Sequence, residues 1–568
     1  MSRAGKIWRV VVMNPIRTRL LGRPILPTAL LALLPTLFIP CPSTALPIPY
    51  GTAGLAPVHS QFFVNTDIPS YPAEASDWFG YSLAVGDFNG DGADDLATGA
   101  PFDRGPIEDP RQSAGAVFIH WGVPGSGLAP GAATTILNQY AFGSPDTAQA
   151  GDHFGWTLAA GDFNFDGRDD LAVGTIHDDE PGGGTKGSVQ IFYGQTGGID
   201  LAGGQYLQLG RGGLPGPSGP GDYFGWALAV GDFNGDFYPD LAIGAPYATV
   251  SGAASAGAVL VLHGSAAGLD PGNSYVVTQD EAGIPDTAES TDEFGTALAA
   301  GNFNGDWNCP PMSFCAPFDD LAIGVPGEDG VGAVLVLMGS PWSLLFANNA
   351  WLGQGDTGGL NEAGDEFGAS LVAGDLDHDS FDELVIAAPQ EDIEHNNGSV
   401  IANAGEITVL WGQSPAPWFN PARTQHWNQE RIFGAPQAMG NDFFGVALAT
   451  GDFDRDGTEE LAVGVPFDHN VGIGWGEVDV LHWSPGVGLD IARNLRPSVA
   501  GTPPLQTQDD QWFGFALATG DFDGDSYSDV AIGIPHRGVF AGPTQVGAET
   551  VLYGSLFSDG FASGGLNW

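Results

Sequence analysis

Positive charge is what this chain has least of. Only 17 lysine and arginine residues face 68 acidic ones, the formal charge is −51, and Lys6 and Lys186 are the only lysines. A nucleic-acid binder needs a basic face for phosphates, and an anionic lipid surface asks for the same, so nucleic acid is not expected as a partner and association with anionic lipid is disfavoured. Cysteine is scarce as well, at 3 residues. Cys309 and Cys315 flank a short insertion. Two thiols cannot complete a zinc site, and their spacing is not the CxxC of metal and redox motifs. In an oxidising compartment the pair is expected to form a disulfide. Catalytic signatures are missing too: there is no HExxH, no GxSxG and no P-loop. The carboxylates are too numerous for any one pair to be singled out as a glycosidase site, so no catalytic residue is assigned and an enzyme is not expected.

Residues 1–45 differ from the rest. Arg3, Lys6, Arg9, Arg17, Arg19 and Arg23 precede an apolar run from Ile25 to Ile39, and Ser43-Thr44-Ala45 follows with small residues where a signal peptidase cuts. The run is short for a membrane span and is broken by Pro27 and Pro35. This reads as a secretory signal cleaved after Ala45, followed by a linker over 46–60. The expected location is extracellular or at the cell surface, with the periplasm as an alternative and no membrane span in the mature chain.

What the chain has in abundance is repetition. A Phe-Gly pair occurs at Phe79-Gly80, Phe154-Gly155, Phe224-Gly225, Phe294-Gly295, Phe367-Gly368, Phe444-Gly445 and Phe513-Gly514, 69 to 77 residues apart. After each pair comes a short run of small apolar residues, an acidic loop, and a second apolar run. A variable Gly/Pro/Asp-rich segment leads to a third run, and a weaker fourth precedes the next pair. The runs are four to seven residues long, bounded by Gly, Pro, Asn or Asp and rich in aromatic and β-branched residues, which is the signature of strands. No stretch after the signal keeps a helical period over three turns. Seven repeats of four strands predict an all-β fold, a seven-bladed β-propeller of four-stranded antiparallel blades over 61–568. An open solenoid would want atypical capping repeats at its ends, and the end copies here are as regular as the middle ones. Closing the ring requires a fourth strand for the last blade. Gln61–Val64 and Gly565–Trp568 are both placed to supply it, and the N-terminal segment is favoured.

The acidic loops place oxygen donors at positions 1, 3, 5 and 9, with a turn residue at position 6, as a hard cation such as calcium requires. The first copy offers Asp87, Asn89, Asp91 and Asp95 around Gly92, and position 7 (Ala93) would add its carbonyl. The second offers Asp162, Asn164, Asp166 and Asp170. In the third, Asp232, Asn234, Asp236 and Asp240 surround Phe237, where glycine suits the turn better. The fourth has Asn302, Asn304 and Asp306, then an insertion carrying the cysteines, then Asp320, so only two carboxylates. The fifth has Asp375, Asp377, Asp379 and Glu383; the sixth Asp452, Asp454, Asp456 and Glu460; the seventh Asp521, Asp523, Asp525 and Asp529. Loops one, two, six and seven are expected to be the most competent, and three and four the least. An EF-hand is ruled out, because its position-12 glutamate is replaced by Thr98, Val173 and Ile243 in the first three copies and strand sequence follows. Two like charges 4 Å apart repel by roughly 4 kcal/mol at an effective dielectric of 20, so each loop favours unfolding until a cation enters. The metal is therefore expected to be structural.

The paired elements FG…GDFNGDG and LATGAP resemble the FG-GAP repeats of integrin alpha-subunit propellers and related bacterial proteins. That resemblance implies several structural calcium ions, up to seven, on one face of the propeller. It also implies a ligand, an extracellular protein or glycan, on the opposite face, in adhesion or extracellular binding. The segments between second and third runs, which vary most, are expected to share that face: Phe102–Ala114, Ile176–Lys186, Tyr247–Ala256, Gln390–Ala404, Phe467–Gly476 and His536–Gly547. The alternatives are a propeller-fold hydrolase or lyase, or a surface scaffold without a ligand.

Overall fold

The computed structural model describes residues 60–554 except 65–75, 105–112, 130–132, 140–148, 181–183, 218, 310–314, 395–397, 434–437, 469–475, 485–487, 496–510 and 537–546. The secretory signal, its cleavage site and Gly565–Trp568 lie outside the described residues. Seven four-stranded antiparallel sheets form a seven-bladed β-propeller. The first blade runs Ser82–Gly86, Asp95–Ala100, Ala116–His120 and Thr135–Leu137. Blades two to six begin at Phe154–Gly161, Leu228–Gly231, Leu298–Gly301, Ser370–Gly374 and Ala447–Gly451. Each first strand adjoins the first strand of the next blade, and the seventh, Ala516–Gly520, adjoins the first, so the ring is closed. Among the described residues helix is limited to single turns such as Gln354–Thr357 and Gln429–Phe433.

The N-terminal segment completes the ring. Ser60–Val64 pairs antiparallel with Ala548–Leu552 as the outer strand of blade seven. Its Gln61 donates to the Leu128 carbonyl of blade one (3.0 Å) and accepts the Leu128 N–H (2.9 Å). Gln205 of blade two does similar work, accepting from the Tyr193 hydroxyl (2.7 Å) and donating to the Leu269 carbonyl of blade three (2.9 Å). A strand that is remote in sequence thus uses the same blade-to-blade tie as a local one.

The Phe-Gly pair is a tack between blades. Phe79, Phe154, Phe224, Phe294, Phe367, Phe444 and Phe513 are buried, and their side chains fill the space between neighbouring sheets. Burying a phenylalanine contributes about 1.5–3 kcal/mol, which is why the ring type recurs. The glycine is set by close approach. Gly80 is left-handed (φ 87°), and a Cβ there would meet the Ala548 carbonyl of the preceding blade at 2.3 Å. The phenylalanine or leucine at position 2 of each acidic loop (Phe88, Phe163, Phe233, Phe303, Leu376, Phe453, Phe522) is also fully buried, so every loop is anchored in the core by its second residue.

Candidate functional site: an acidic-loop face and an aromatic face

Position 1 of each loop closes the turn. Asp87 accepts the N–H groups of Gly90 (2.8 Å), Asp91 (3.0 Å) and Gly92 (2.9 Å), and Asp162, Asp232, Asp375, Asp452 and Asp521 repeat the pattern with variations. In the fourth loop Asn302 takes this role, accepting the Asp306 N–H at 3.1 Å. Turn position 6 is left-handed at Gly92, Gly167, Phe237, Ser380, Gly457 and Ser526, so Phe237 does hold the strained conformation its sequence position demands.

Position 9 is buried in all seven loops: Asp95, Asp170, Asp240, Asp320, Glu383, Glu460 and Asp529. Its carboxylate accepts the N–H of loop position 2, as Asp95 does from Phe88 (3.1 Å) and Glu383 from Leu376 (2.8 Å). Where it is aspartate, it also accepts an N–H just beyond the third strand, from Gly122 (2.7 Å), Gly194, Gly264, Gly339 and Gly554. Burial pushes these acids up: Asp95 and Asp529 to about 9, Asp170 to about 8 and Glu383 to about 10. Such carboxyls are poorly placed as anions unless a cation joins them. The buried Glu383 Oε1 and Asn164 Oδ1 have no hydrogen-bond partner, as oxygens aimed at an ion would. Ligand atoms lie within 4.8 Å of one another in Asp375, Asp377 and Glu383, in Asp452, Asp454 and Asp456, and in Asp521, Asp523 and Asp529. These donor sets fit a hard cation. The fourth loop contributes Asp306 and Asp320, both raised by burial, and the disulfide Cys309–Cys315 closes the insertion between them.

Two features of this face escape a reading by loop spacing. Position 8 joins loops around the ring. Asp169 accepts the Asp87 N–H (3.0 Å), Asp319 that of Asp232 (2.9 Å), and Asp382 that of Asn302 (2.6 Å). Asp94 accepts that of Asp521 (2.7 Å), across the closure. The signal was the acidic doublet at positions 8 and 9. Second, in blades three and six a residue at or near the end of the third strand overhangs the loop of its own blade. His263 Nδ1 stands 2.9 Å from Asp240, and His482 Nδ1 2.9 Å from Glu460. In blade five Trp411 holds Arg423, whose guanidinium lies 4.2 Å from the ring and reaches Asp377 (2.5 Å) and Asp379 (4.0 Å). The fifth loop thus carries a cation of its own.

The opposite face is aromatic. Three positions in each blade build it: the residue before Phe-Gly, the residue after Phe-Gly, and the second residue beyond the second strand. They are Trp78, Tyr81 and Phe102 in blade one; His153, Trp156 and His177 in blade two; Tyr223, Trp226 and Tyr247 in blade three. Blade six has Phe443, Val446 and Phe467, and blade seven Trp512, Phe515 and His536. Their rings touch from blade to blade: Trp78–Trp512 (centroids 5.5 Å), Tyr81–Trp156 (4.9 Å), Trp156–Trp226 (5.3 Å), His177–Tyr223 (4.8 Å) and Phe467–Trp512 (5.4 Å). His536 stacks on Trp512 at 4.3 Å and 13°. Burial and then the neighbouring His177 push His153 down to about 3, so its ring is neutral at physiological pH. Blades four and five interrupt the belt with Glu293, Thr296 and Gly327, and with Glu366, Ala369 and Gln390.

The residue before Phe-Gly is left-handed in every blade (φ 55–62° at Trp78, His153, Tyr223, Glu293, Glu366, Phe443 and Trp512). The turn thereby lifts that side chain out of the sheet edge, and six of the seven, all but the buried Phe443, stay partly exposed. Of the variable segments expected to form this face, only Tyr247–Ala256 lies wholly within the described residues. The belt draws on the first or second residue of five of these segments (Phe102, His177, Tyr247, Phe467 and His536) and on positions flanking the motif itself, where the sequence signal was an aromatic residue on both sides of Phe-Gly in four copies and before it in a fifth.

A protein-family model, FG-GAP repeat, matches residues 79–120, 154–192, 224–262, 367–410, 444–475 and 513–552. Those matches skip the fourth blade, the one whose loop carries the insertion. The chain is 32% identical over 273 residues to integrin alpha-PS2 of Drosophila melanogaster, covering 46% of this chain and 17% of that protein. It is 26% identical over 389 residues to phosphatidylinositol-glycan-specific phospholipase D of Homo sapiens, covering 66% of this chain and 42% of that protein. The chain therefore spans less than half the length of either relative. A solved structure, the exotype rhamnogalacturonan lyase YesX, aligns over 87% of this chain and 76% of its own at 11% identity, with a TM-score of 0.39. A likeness that slight carries no argument about activity.

Proposed function

We propose that this chain, which is an integrin-alpha-like FG-GAP β-propeller, acts as an exported, calcium-stabilised module that binds an extracellular protein or glycan through its aromatic face. The observation that carries this reading is the ring-to-ring belt over five blades. A folded chain gains little from partly exposed Trp78, Tyr223 and Trp512 unless something covers them, and Trp and Tyr are the residues on which binding energy concentrates. Flat rings suit the apolar face of a sugar or a peptide side chain, and Glu293 and Glu366 in the gap would take its hydroxyl or amine donors. On the other face, Asp87, Asp91 and Asp95 and their counterparts would hold calcium. A bound ion supplies charge neutralisation and a rigid turn; the residues of this chain fix position 9, through their backbone contacts, before any ion arrives. The basic and then apolar sequence over 1–45, read as a secretory signal, is the support for export. No helix among the described residues is long and apolar enough to cross a membrane.

The test is a binding screen on immobilised glycans and matrix proteins, in calcium and in chelator, with wild type and with Trp78→Ala/Tyr223→Ala. The reading expects a ligand whose capture is lost in the double variant while the fold persists. Capture indifferent to both substitutions, or turnover of any substrate offered, would overturn it in favour of a scaffold or a propeller-fold hydrolase or lyase.

A further inference from the structure

The seven blades meet at seven seams, and one triplet of positions sits at the middle of each. It consists of the third strand's residue opposite the second strand's fifth position, and two residues of the next blade. Those two are the fourth residue of its second strand and the third-strand residue paired with that strand's second residue. At successive seams the triplet is Val117 with Val173 and Phe192, Val189 with Ile243 and Leu262, Val259 with Ile323 and Leu337, Val334 with Ile386 and Leu410, Ile407 with Val463 and Leu481, and Val478 with Ile532 and Leu552. All six are apolar and, apart from the partly buried Leu552, buried, and four of them fall within single core clusters. At the seam between the last blade and the first, the same positions are Glu549, Thr98 and His120.

These three substitutions out of the pattern meet one another. The Thr98 hydroxyl donates to Glu549 Oε2, and His120 Nε2 lies 3.2 Å from Glu549 Oε1. All three side chains are buried, with 0 to 1% exposure. The other ring nitrogen, Nδ1, is 3.2 Å from the Thr134 hydroxyl, which fixes the ring's orientation. The N-terminal strand covers the group: Phe63 pairs across the sheet with Glu549 and lays its ring 4.8 Å from that of His120. Burial raises Glu549 to about 8 and lowers His120 to about 3, so near pH 7 the contact is between neutral groups.

We infer that Thr98, His120 and Glu549 are a polar key that makes the last blade recognise the first and reject every other blade. Against Ile243 and Leu262, or any other apolar pair, Glu549 would be a buried carboxyl without a partner, which is strongly unfavourable. Repeat proteins are prone to misassembly because every unit presents a similar face. A seven-fold repeat can close early, leave a blade out, or pack onto a blade of another chain. One mismatched triplet at the seam of closure excludes those arrangements, while in the correct one Glu549 keeps the Thr98 hydrogen bond and has the His120 ring beside it.

The experiment compares wild type, Glu549→Val, Thr98→Val/His120→Leu, and all three substitutions together, the last restoring the aliphatic triplet of the other seams. Melting temperature in calcium is measured for each, and oligomer content is read by light scattering on a sizing column after refolding from denaturant. Glu549→Val and Thr98→Val/His120→Leu are each expected to melt several degrees lower, because each strands buried polar groups. The combined variant is expected to melt at or above wild type, yet to refold with severalfold more oligomer. A combined variant that is less stable than either partial one would show that the three do not act as a unit. One that refolds to monomer with wild-type yield would show that they do not specify closure. Either result overturns the inference.

Discussion

The two faces of this propeller are built from the same seven turns of chain, and they diverge in what they keep constant. On the acidic face the copies agree. Position 1 closes the turn, position 9 is buried and pinned to backbone, and in four loops an aspartate at position 8 accepts the position-1 N–H of the preceding loop. On the aromatic face the backbone agrees, left-handed before every Phe-Gly, while the side chains run from Trp78 to Glu366. A face that must do the same thing seven times repeats its residues. A face that meets one partner, itself without sevenfold symmetry, has no reason to. The belt over five blades and the acidic gap at blades four and five fit the second description.

The comparison can be broken most forcefully at position 9. Asp529→Ala removes the acceptor of the Gly554 (2.8 Å) and Phe522 (3.0 Å) N–H groups and leaves both buried. Chemical denaturation in calcium should show a loss of about 3 kcal/mol, two stranded donors' worth, with ligand capture by the surviving folded fraction unchanged.

A pH series in chelator sharpens the same point. Asp95, Asp529 and Glu383 have folded pKa values of about 9, 9 and 10, raised above their unfolded values by burial. The metal-free fold therefore holds extra protons. Their stabilising contribution is complete below the unfolded carboxyl range and is lost as pH rises through the folded values. The melting temperature in chelator should fall by several degrees between pH 5 and about pH 9. In calcium the loops must be deprotonated, so the gap between loaded and chelated melts should widen over the same range.

Trp512→Ala acts on the other face. The ring contacts Trp78, Phe467, Phe515 and His536, so some stability goes with it, about 1–2 kcal/mol from lost aromatic contacts. Ligand capture should fall far more than that figure implies, while the calcium dependence of the melt stays as in wild type. The smallest effect is expected from Arg423→Gln, which removes a cation–π contact worth about 0.5–1 kcal/mol and the native cation of loop five. In chelator the variant should melt lower than wild type, and saturating calcium should recover the part due to the lost loop charge but not the part due to the lost ring contact.

Fold and site were unequally visible in the sequence. The blade count, the strand order within a blade and the ligand positions 1, 3, 5 and 9 are local patterns, written within some seventy residues and repeated. The closing strand could be placed because Gln61–Val64 stands where a fourth run stands in the other copies. What spacing could not show are contacts between copies. Asp169 meets Asp87, Trp156 meets Trp226, and Glu549 meets Thr98, each across a seam whose register is known only once neighbouring sheets are packed. His263 and His482 read as ordinary strand residues until the strand end was found to overhang the loop. The aromatic flanks of Phe-Gly were in plain view, but only the packed ring joins them into one surface.

The central claim is that the repeated face holds the ring together through calcium. Its most direct test is thermal unfolding of the wild type in chelator and again after calcium is restored. A single site at a thousandfold excess of ligand over its dissociation constant contributes about 4 kcal/mol. With several loops filled, the melting temperature should drop steeply in chelator and return with calcium. A melt that is the same in both would contradict the account.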